Sequence, residues 1–216
     1  MDVGQALVAF SVAAGVLTIT PGLDTALVLR TAAVEGSRRA LLAAAGICLG
    51  LLSWGLAASI GLGAVLATSH LAYGALRVLG AGYLIVLGGK LILRPRSSAL
   101  AAGARELGRP EARAIEGGSR WFVRGFLSNV LNPKVGVFYV TFLPLFIPAG
   151  VSVTAFSMLL ASIHVCQGIL WFALLIGATR PLGRWLGRPT VVASLDRGTG
   201  AVLVGFGLRL ALDRGR

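Results

Sequence analysis

The chain contains few of the side chains on which enzymes and metal proteins depend. It has two cysteines, two histidines and eight acidic residues among its 216 residues. Cys48 and Cys166 lie in separate apolar runs, where a free cysteine packs as a small hydrophobic residue and a disulfide framework is not expected. The histidines and acids are too few to form a metal cluster or to pair a nucleophile with its base. We therefore predict no enzyme activity, no metal site and no cofactor.

Charge of either sign is also scarce. Charged residues make up 13% of the chain and hydrophobic residues 56%, with a mean hydropathy of +0.84. So little polar surface cannot coat a water-soluble protein of this size. The apolar runs are continuous rather than alternating, which favours helices over strands. The composition thus predicts an all-α, polytopic helical membrane protein that lies in the lipid bilayer.

Six apolar runs are candidate membrane spans, each of which needs about 20 residues in a helix. They are residues 5–28, 41–66, 72–93, 122–147, 153–178 and 198–212. The last is short because extension back to Pro189 would bring Asp196 and Arg197 into the membrane. A tilted or partly interfacial helix is the alternative there.

The basic residues lie between the apolar runs. Lys and Arg outnumber the acids 20 to 8, and they concentrate in residues 95–120 and 180–197, whereas the alternate connections are almost uncharged. Because cytoplasmic loops accumulate Lys and Arg, both segments are predicted to be cytoplasmic, with the termini outside. The charge therefore indicates topology rather than a nucleic-acid partner. We interpret 95–120 as a linker, with a docking site or an anionic-lipid contact as the alternative.

The linker separates two halves, residues 1–94 and 121–216, with three predicted spans each. Both halves open with an interrupted helix, at Pro21-Gly22 and at Pro133, and the two prolines are 112 residues apart. An odd number of spans per half would place the halves in opposite orientations, as in many secondary transporters. Proline frees backbone groups that must line a cavity or the protein interior. The pattern predicts two inverted three-helix repeats with broken first helices, and a simple proline kink is the alternative at each break.

Asp24 is the most informative residue. A carboxylate inside an apolar span costs roughly 2.5–3.5 kcal/mol, and such groups usually mark ion or proton pathways. We predict that Asp24 binds the substrate ammonium and couples transport by exchanging it for a proton. A salt bridge with Arg30 or Lys134 near the cytoplasmic end is the alternative.

Further candidate substrate-binding residues follow the second break and lie in the fifth run. Asn129 and Asn132 offer amide donors and acceptors, which could contact substrate or cap the broken helix. Lys134 could bind a substrate carboxylate or pair with Asp24. His164 and Gln167 are about one helical turn apart and could line the same cavity, or hydrogen-bond neighbouring helices instead.

Three segments resemble the LysE/RhtB family of amino-acid exporters. Residues 20–30, with the sequence TPGLDTALVLR, are similar to its first-helix signature. Residues 125–144 resemble its second signature, and the Asn-Pro-Lys triplet at 132–134 is the most specific part. Residues 80–90 are similar to its third-helix pattern. The resemblance covers nearly the whole chain.

The resemblance implies export of an amino acid or a close derivative from the cytoplasm across a bacterial inner membrane, energised by the proton-motive force. Its partners would be the amino acid, protons and the bilayer, and the chain could assemble as a homo-oligomer. Leu23, Asp24 and Leu145 depart from the residues common in the family, which bears on the substrate rather than the fold. A passive channel and an exporter of another small cationic or zwitterionic solute are the alternatives.

Overall fold

A computed structural model describes residues 2–68, 78, 81–82, 85–86, 88–95, 118–179 and 188–212. Helices predominate in these ranges, and none of the residues in them lies in a strand. The all-α prediction is confirmed for this part of the chain. Most of the linker at 95–120 and much of the third predicted span lie outside the described residues.

The first half begins with a broken helix. Helix α1 spans Val3–Ile19, α2 spans Leu23–Val34 and α3 spans Ser37–Thr68. Asp2 caps α1, because its carboxylate accepts the backbone N–H of Gln5 at 2.8 Å. The axes of α1 and α2 differ by 50°, so the predicted run at 5–28 is two helices joined by a sharp bend. Gly36, with φ +88°, then permits the tight turn into α3.

The residues after 118 also begin with an interrupted helix, followed by an irregular stretch. Helix α4 spans Gly118–Val130 and α5 spans Pro133–Val137. A π-helical turn at Phe138–Phe142 and a 3-10 turn at Leu143–Phe146 continue the chain. Helix α6 spans Val153–Gly177, within one residue of the fifth predicted run, and α7 spans Pro189–Leu212.

Two of the described helices are long and apolar enough to cross a membrane. They are α3, over Ser37–Gly61, and α6, and the bent pair α1 and α2 makes a third if it is counted as one span. The chain is therefore a helical membrane protein. The arrangement of six spans in two inverted repeats stays a prediction.

The last helix begins before the apolar run at 198–212 that the sequence offered as the sixth span. Helix α7 begins at Pro189, which suits the first turn of a helix because proline lacks the N–H that would be unpaired there. Asp196 has no exposed surface, whereas Arg197 is exposed. The helix thus tolerates an acid because protein, and not lipid, surrounds its carboxylate.

Helix α3 packs along both α4 and α6. At its crossing with α4, a methyl group on Gly46 would lie 2.0 Å from the carbonyl oxygen of Phe122. One on Gly125 would lie 2.0 Å from the carbonyl oxygen of Ala43. Only glycine permits this backbone approach, as is common between membrane helices. The close crossing brings the end of α4, and with it the second break, beside the first.

Candidate functional site

The first break places an acid at the start of a helix. Helix α1 ends at Ile19, Thr20 has extended backbone angles, and Gly22 precedes α2 without a side-chain hydrogen bond to cap it. Asp24 lies in the first turn of α2. Unpaired N–H groups and the helix dipole favour a negative charge at such a position. The break therefore provides a favourable local setting for the carboxylate.

The second break is capped by its own side chain. Asn132 precedes α5, and its Oδ1 accepts the backbone N–H of Lys134 at 3.1 Å. Pro133 is the first residue of α5, where its missing N–H costs no hydrogen bond. The π-helical turn follows within the same segment, a geometry that occurs frequently at functional sites.

The carboxylate of Asp24 is held by the second half of the chain. Asn129 Nδ2 donates to its Oδ2 at 2.9 Å, and Asn132 Nδ2 donates to the same oxygen at 3.2 Å. Ser128 Oγ donates to Oδ1 at 3.1 Å. The donors are 104 to 108 residues away in sequence, so these bonds join the two breaks directly. Asn132 caps its own helix, which is one of the two roles that the sequence left open for it, and it also contacts Asp24.

Lys134 makes the reciprocal contact. Its Nζ donates to the carbonyl oxygens of Leu17 and Thr20, each at 2.8 Å. Leu17 lies in the last turn of α1 and Thr20 directly follows that helix, so neither carbonyl has a partner within the helix. A positive charge at the end of a helix is also favoured by its dipole. Each break therefore satisfies polar groups of the other.

A cavity of about 40 Å³ lies between the two breaks. Five of the six predicted substrate-binding residues line it, namely Asp24, Asn129, Asn132, Lys134 and His164. Thr20, Thr25 and Gly22 add further polar or small groups, and an apolar wall comes from Leu17, Ile47, Leu51, Val135 and Phe172. The cavity thus combines an acidic and a basic side chain with an apolar side.

His164 and Gln167 take different positions. His164 is buried, and its Nδ1 lies 3.2 Å from the hydroxyl oxygen of Tyr139, against which its ring is stacked. Gln167 Nε2 donates to the carbonyl oxygen of Ser11 at 2.9 Å and so joins α6 to α1. Gln167 is not among the residues that line the cavity. This is the helix-to-helix hydrogen bond that the sequence left open as its alternative.

The model of the LysE type translocator family matches residues 16–214. The chain belongs to this family. Residues 16–214 contain both breaks and every predicted site residue, so the family match spans the whole candidate site. Membership makes the protein one of a family of transporters, in agreement with the resemblance found in the sequence.

Named relatives of this LysE type translocator cover almost its entire length. It is 31% identical to the uncharacterized membrane protein YrhP of Bacillus subtilis (strain 168), over 97% of this chain and all of the relative. It is 31% identical to a leucine efflux protein of Enterobacter sp. (strain 638), over 94% and 93% of the two chains. Identity to the threonine efflux protein of Escherichia coli (strain K12) is 26%, over 92% and 94%. No solved structure matches this translocator.

The structure adds residues that the sequence analysis did not select. Ser128 donates to Asp24, and its position directly before Asn129 was a usable signal. Thr20 lines the cavity, and its hydroxyl contacts that of Thr199 on α7. Nothing in the local sequence of α7 marks Thr199, because the contact spans 179 residues. Both threonines also donate to carbonyls one turn earlier in their own helices.

Proposed function

We propose that this chain exports an amino acid or a close derivative from the cytoplasm, through a site formed where the two helix breaks meet. The observation that carries the proposal is the reciprocal pairing of the breaks around one cavity. Asp24 of the first break receives donors from the second, and Lys134 of the second caps the first. A cavity with a carboxylate and an ammonium on its wall suits a solute that carries both charges.

Two inverted three-helix repeats are the architecture that we propose. A constant offset of 112 residues relates α3 to α6, and residues 78–93 to α7, in addition to the two prolines. Gly88 and Gly200 share this offset. A methyl group on Gly88 would lie 2.6 Å from the carbonyl oxygen of Gly200, and one on Gly200 would lie 2.5 Å from that of Gly88. A residue that contacts its own equivalent lies on a twofold axis. These contacts support a pseudo-twofold relation, and three spans per half make it an inverted one.

Transport by this architecture requires alternating access to the shared cavity. On the cytoplasmic side, the substrate ammonium would bind the ionised carboxylate of Asp24 while Lys134 and Asn132 bind the substrate carboxylate. On the outer side, a proton would replace the ammonium on Asp24 and release the amino acid. A ligand shifts the conformational equilibrium only by its different affinity for the two states, so this exchange supplies the coupling. Asn129 and His164 are the other residues that we propose contact the solute.

The membrane orientation is part of the same proposal. Residues 95–120 and 180–197 carry most of the loop arginines and face the cytoplasm of a bacterium, because positive loops are retained inside. The amino acid then enters the cavity from this face and leaves at the opposite one.

Efflux from vesicles tests the proposal. The purified protein is reconstituted into vesicles loaded with labelled leucine or threonine, the solutes in the names of two relatives. We expect efflux that saturates and accelerates when the outside is made acidic. Asp24→Asn should abolish the acceleration, and Asp2→Asn is the matched control, since Asp2 is exposed and asparagine also caps helices well. Efflux that neither saturates nor responds to the gradient would indicate a passive channel instead.

A further inference from the structure

The cavity between the breaks has two chemically different sides. Asp24, Asn132 and Lys134 form the polar side. The other side is formed by α3 and α6 and includes Ile47, Leu51 and Phe172, whose exposed fractions are 1%, 4% and 5%. Their side chains contain no hydrogen-bonding group. A solute that fills the cavity must therefore be polar at one end and apolar at the other, because an unpaired polar group would be costly there.

Gly168 lies within the apolar side. A methyl group in its place would lie 3.6 Å from Leu51 Cδ1, 3.7 Å from Phe172 Cε2 and 4.0 Å from Cys48 Sγ. These are ordinary van der Waals distances. The backbone of the helix crossing therefore does not require glycine at this position, unlike at Gly46, where a methyl group would meet a carbonyl oxygen at 2.0 Å. What glycine provides at position 168 is space in the cavity wall.

This wall is built on two continuous helices. Gly168 and Phe172 are four residues apart and lie on one face of α6, and Ile47 and Leu51 are spaced likewise on α3. Their spacing along each helix is fixed by the backbone, so the wall can widen only if the helices separate. A methyl group added at position 168 would project from this wall beside Leu51 and Phe172, and it would take space from a solute that packs against them.

We propose that the transported solute is an amino acid with an aliphatic side chain, which lies against Ile47, Leu51 and Phe172, and that Gly168 sets the largest side chain accepted. The inference rests on the proposed function and adds the class of substrate to it. The polar side binds the charges that all amino acids share, and the apolar side selects among them. A basic side chain is excluded, because its second charge would lie among groups that cannot pair with it.

The experiment compares three proteins in vesicles loaded with labelled alanine, leucine or lysine. The parent should export alanine and leucine but not lysine. Gly168→Ala should slow leucine efflux by about tenfold and leave alanine efflux within about twofold, since one methyl group in an apolar pocket is worth that much discrimination. Gly177→Ala is the matched control on the same helix, because a methyl group there meets no atom within 4 Å. It should behave as the parent does.

A second substitution that restores space in the cavity tests the same subsite independently. Ile47→Val removes one methyl group from the facing wall, and the double variant Gly168→Ala/Ile47→Val should recover most of the leucine efflux. Lysine export equal to that of leucine, or an equal loss of alanine and leucine in Gly168→Ala, would overturn the assigned subsite. A parent that exports none of the three amino acids would instead overturn the proposed function itself.

Discussion

The breaks at Pro21 and at Pro133 are 112 residues apart in sequence and lie beside the same cavity, yet different groups hold them. The first break has no side-chain cap at the start of α2. The second has Asn132 as a cap and contributes Asn129 and Lys134 to the first. The first break therefore supplies the carboxylate and the exposed backbone, and the second supplies the side chains that satisfy them. Two similar interruptions become one site because their polar groups are complementary.

Of the changes that break this complementarity, removal of the Lys134 side chain should lower the stability most. Lys134→Met leaves the carbonyls of Leu17 and Thr20 without the donor that caps α1. We expect the free energy of unfolding in detergent to fall by about 3 kcal/mol, because hydrogen bonds to a charged group contribute most. The midpoint of thermal unfolding measures the loss. Lys90→Met is the control, since Lys90 is exposed and should change stability by less than about 0.5 kcal/mol.

Loss of the asparagine cap should have a smaller effect. Asn132→Ala removes the acceptor for the Lys134 N–H and one donor to Asp24. The expected loss of stability is about 2 kcal/mol, of which the cap accounts for about half. Asn132→Ser keeps a capping oxygen and should cost only about 1 kcal/mol. Equal losses in the two variants would show that the cap contributes nothing to the second break.

The smallest effects on stability should come from the prolines, and here the two breaks should differ in function. Pro21→Ala should let α1 and α2 approach a continuous helix, because no side chain caps α2. Pro133→Ala leaves the Asn132 cap in place, so its break should persist. Both should change stability by no more than about 1 kcal/mol. Efflux should fall severalfold for Pro21→Ala and less than about twofold for Pro133→Ala, and the reverse order would mean that proline, not the cap, maintains the second break.

The sequence predicted the elements that depend on local pattern. Helix α6 is continuous and apolar, and its predicted ends are within one residue of the observed ends. The breaks are visible as Pro-Gly and Asn-Pro because a proline cannot continue the helix that precedes it. Helix α7 begins at Pro189, before the predicted sixth span, and the sequence could not show this because the cost of burying Asp196 depends on its tertiary surroundings. Hydropathy along the chain contains no information about those surroundings.

The sequence predicted most of the residues that line the cavity, but not which of them hydrogen-bond to each other. Asp24, Asn129, Asn132, Lys134 and His164 all line the cavity, whereas Gln167 bonds to α1 outside it. Which donor meets which acceptor depends on the crossing of α3 and α4 through Gly46 and Gly125. A glycine at a close crossing looks no different in sequence from one in open space, such as Gly61 on the same helix. The pairing of the breaks could therefore be read only from the fold.

The most direct measurement is a count of the protons exchanged when the purified protein binds its amino acid. Calorimetric titrations in buffers with different ionisation enthalpies give this number. Our account predicts that the parent releases one proton for each amino acid bound, because the ammonium replaces the proton on Asp24, and that Asp24→Asn binds without releasing any. A variant that binds the amino acid and still releases one proton would contradict the account, since the exchanged proton would then belong to another group.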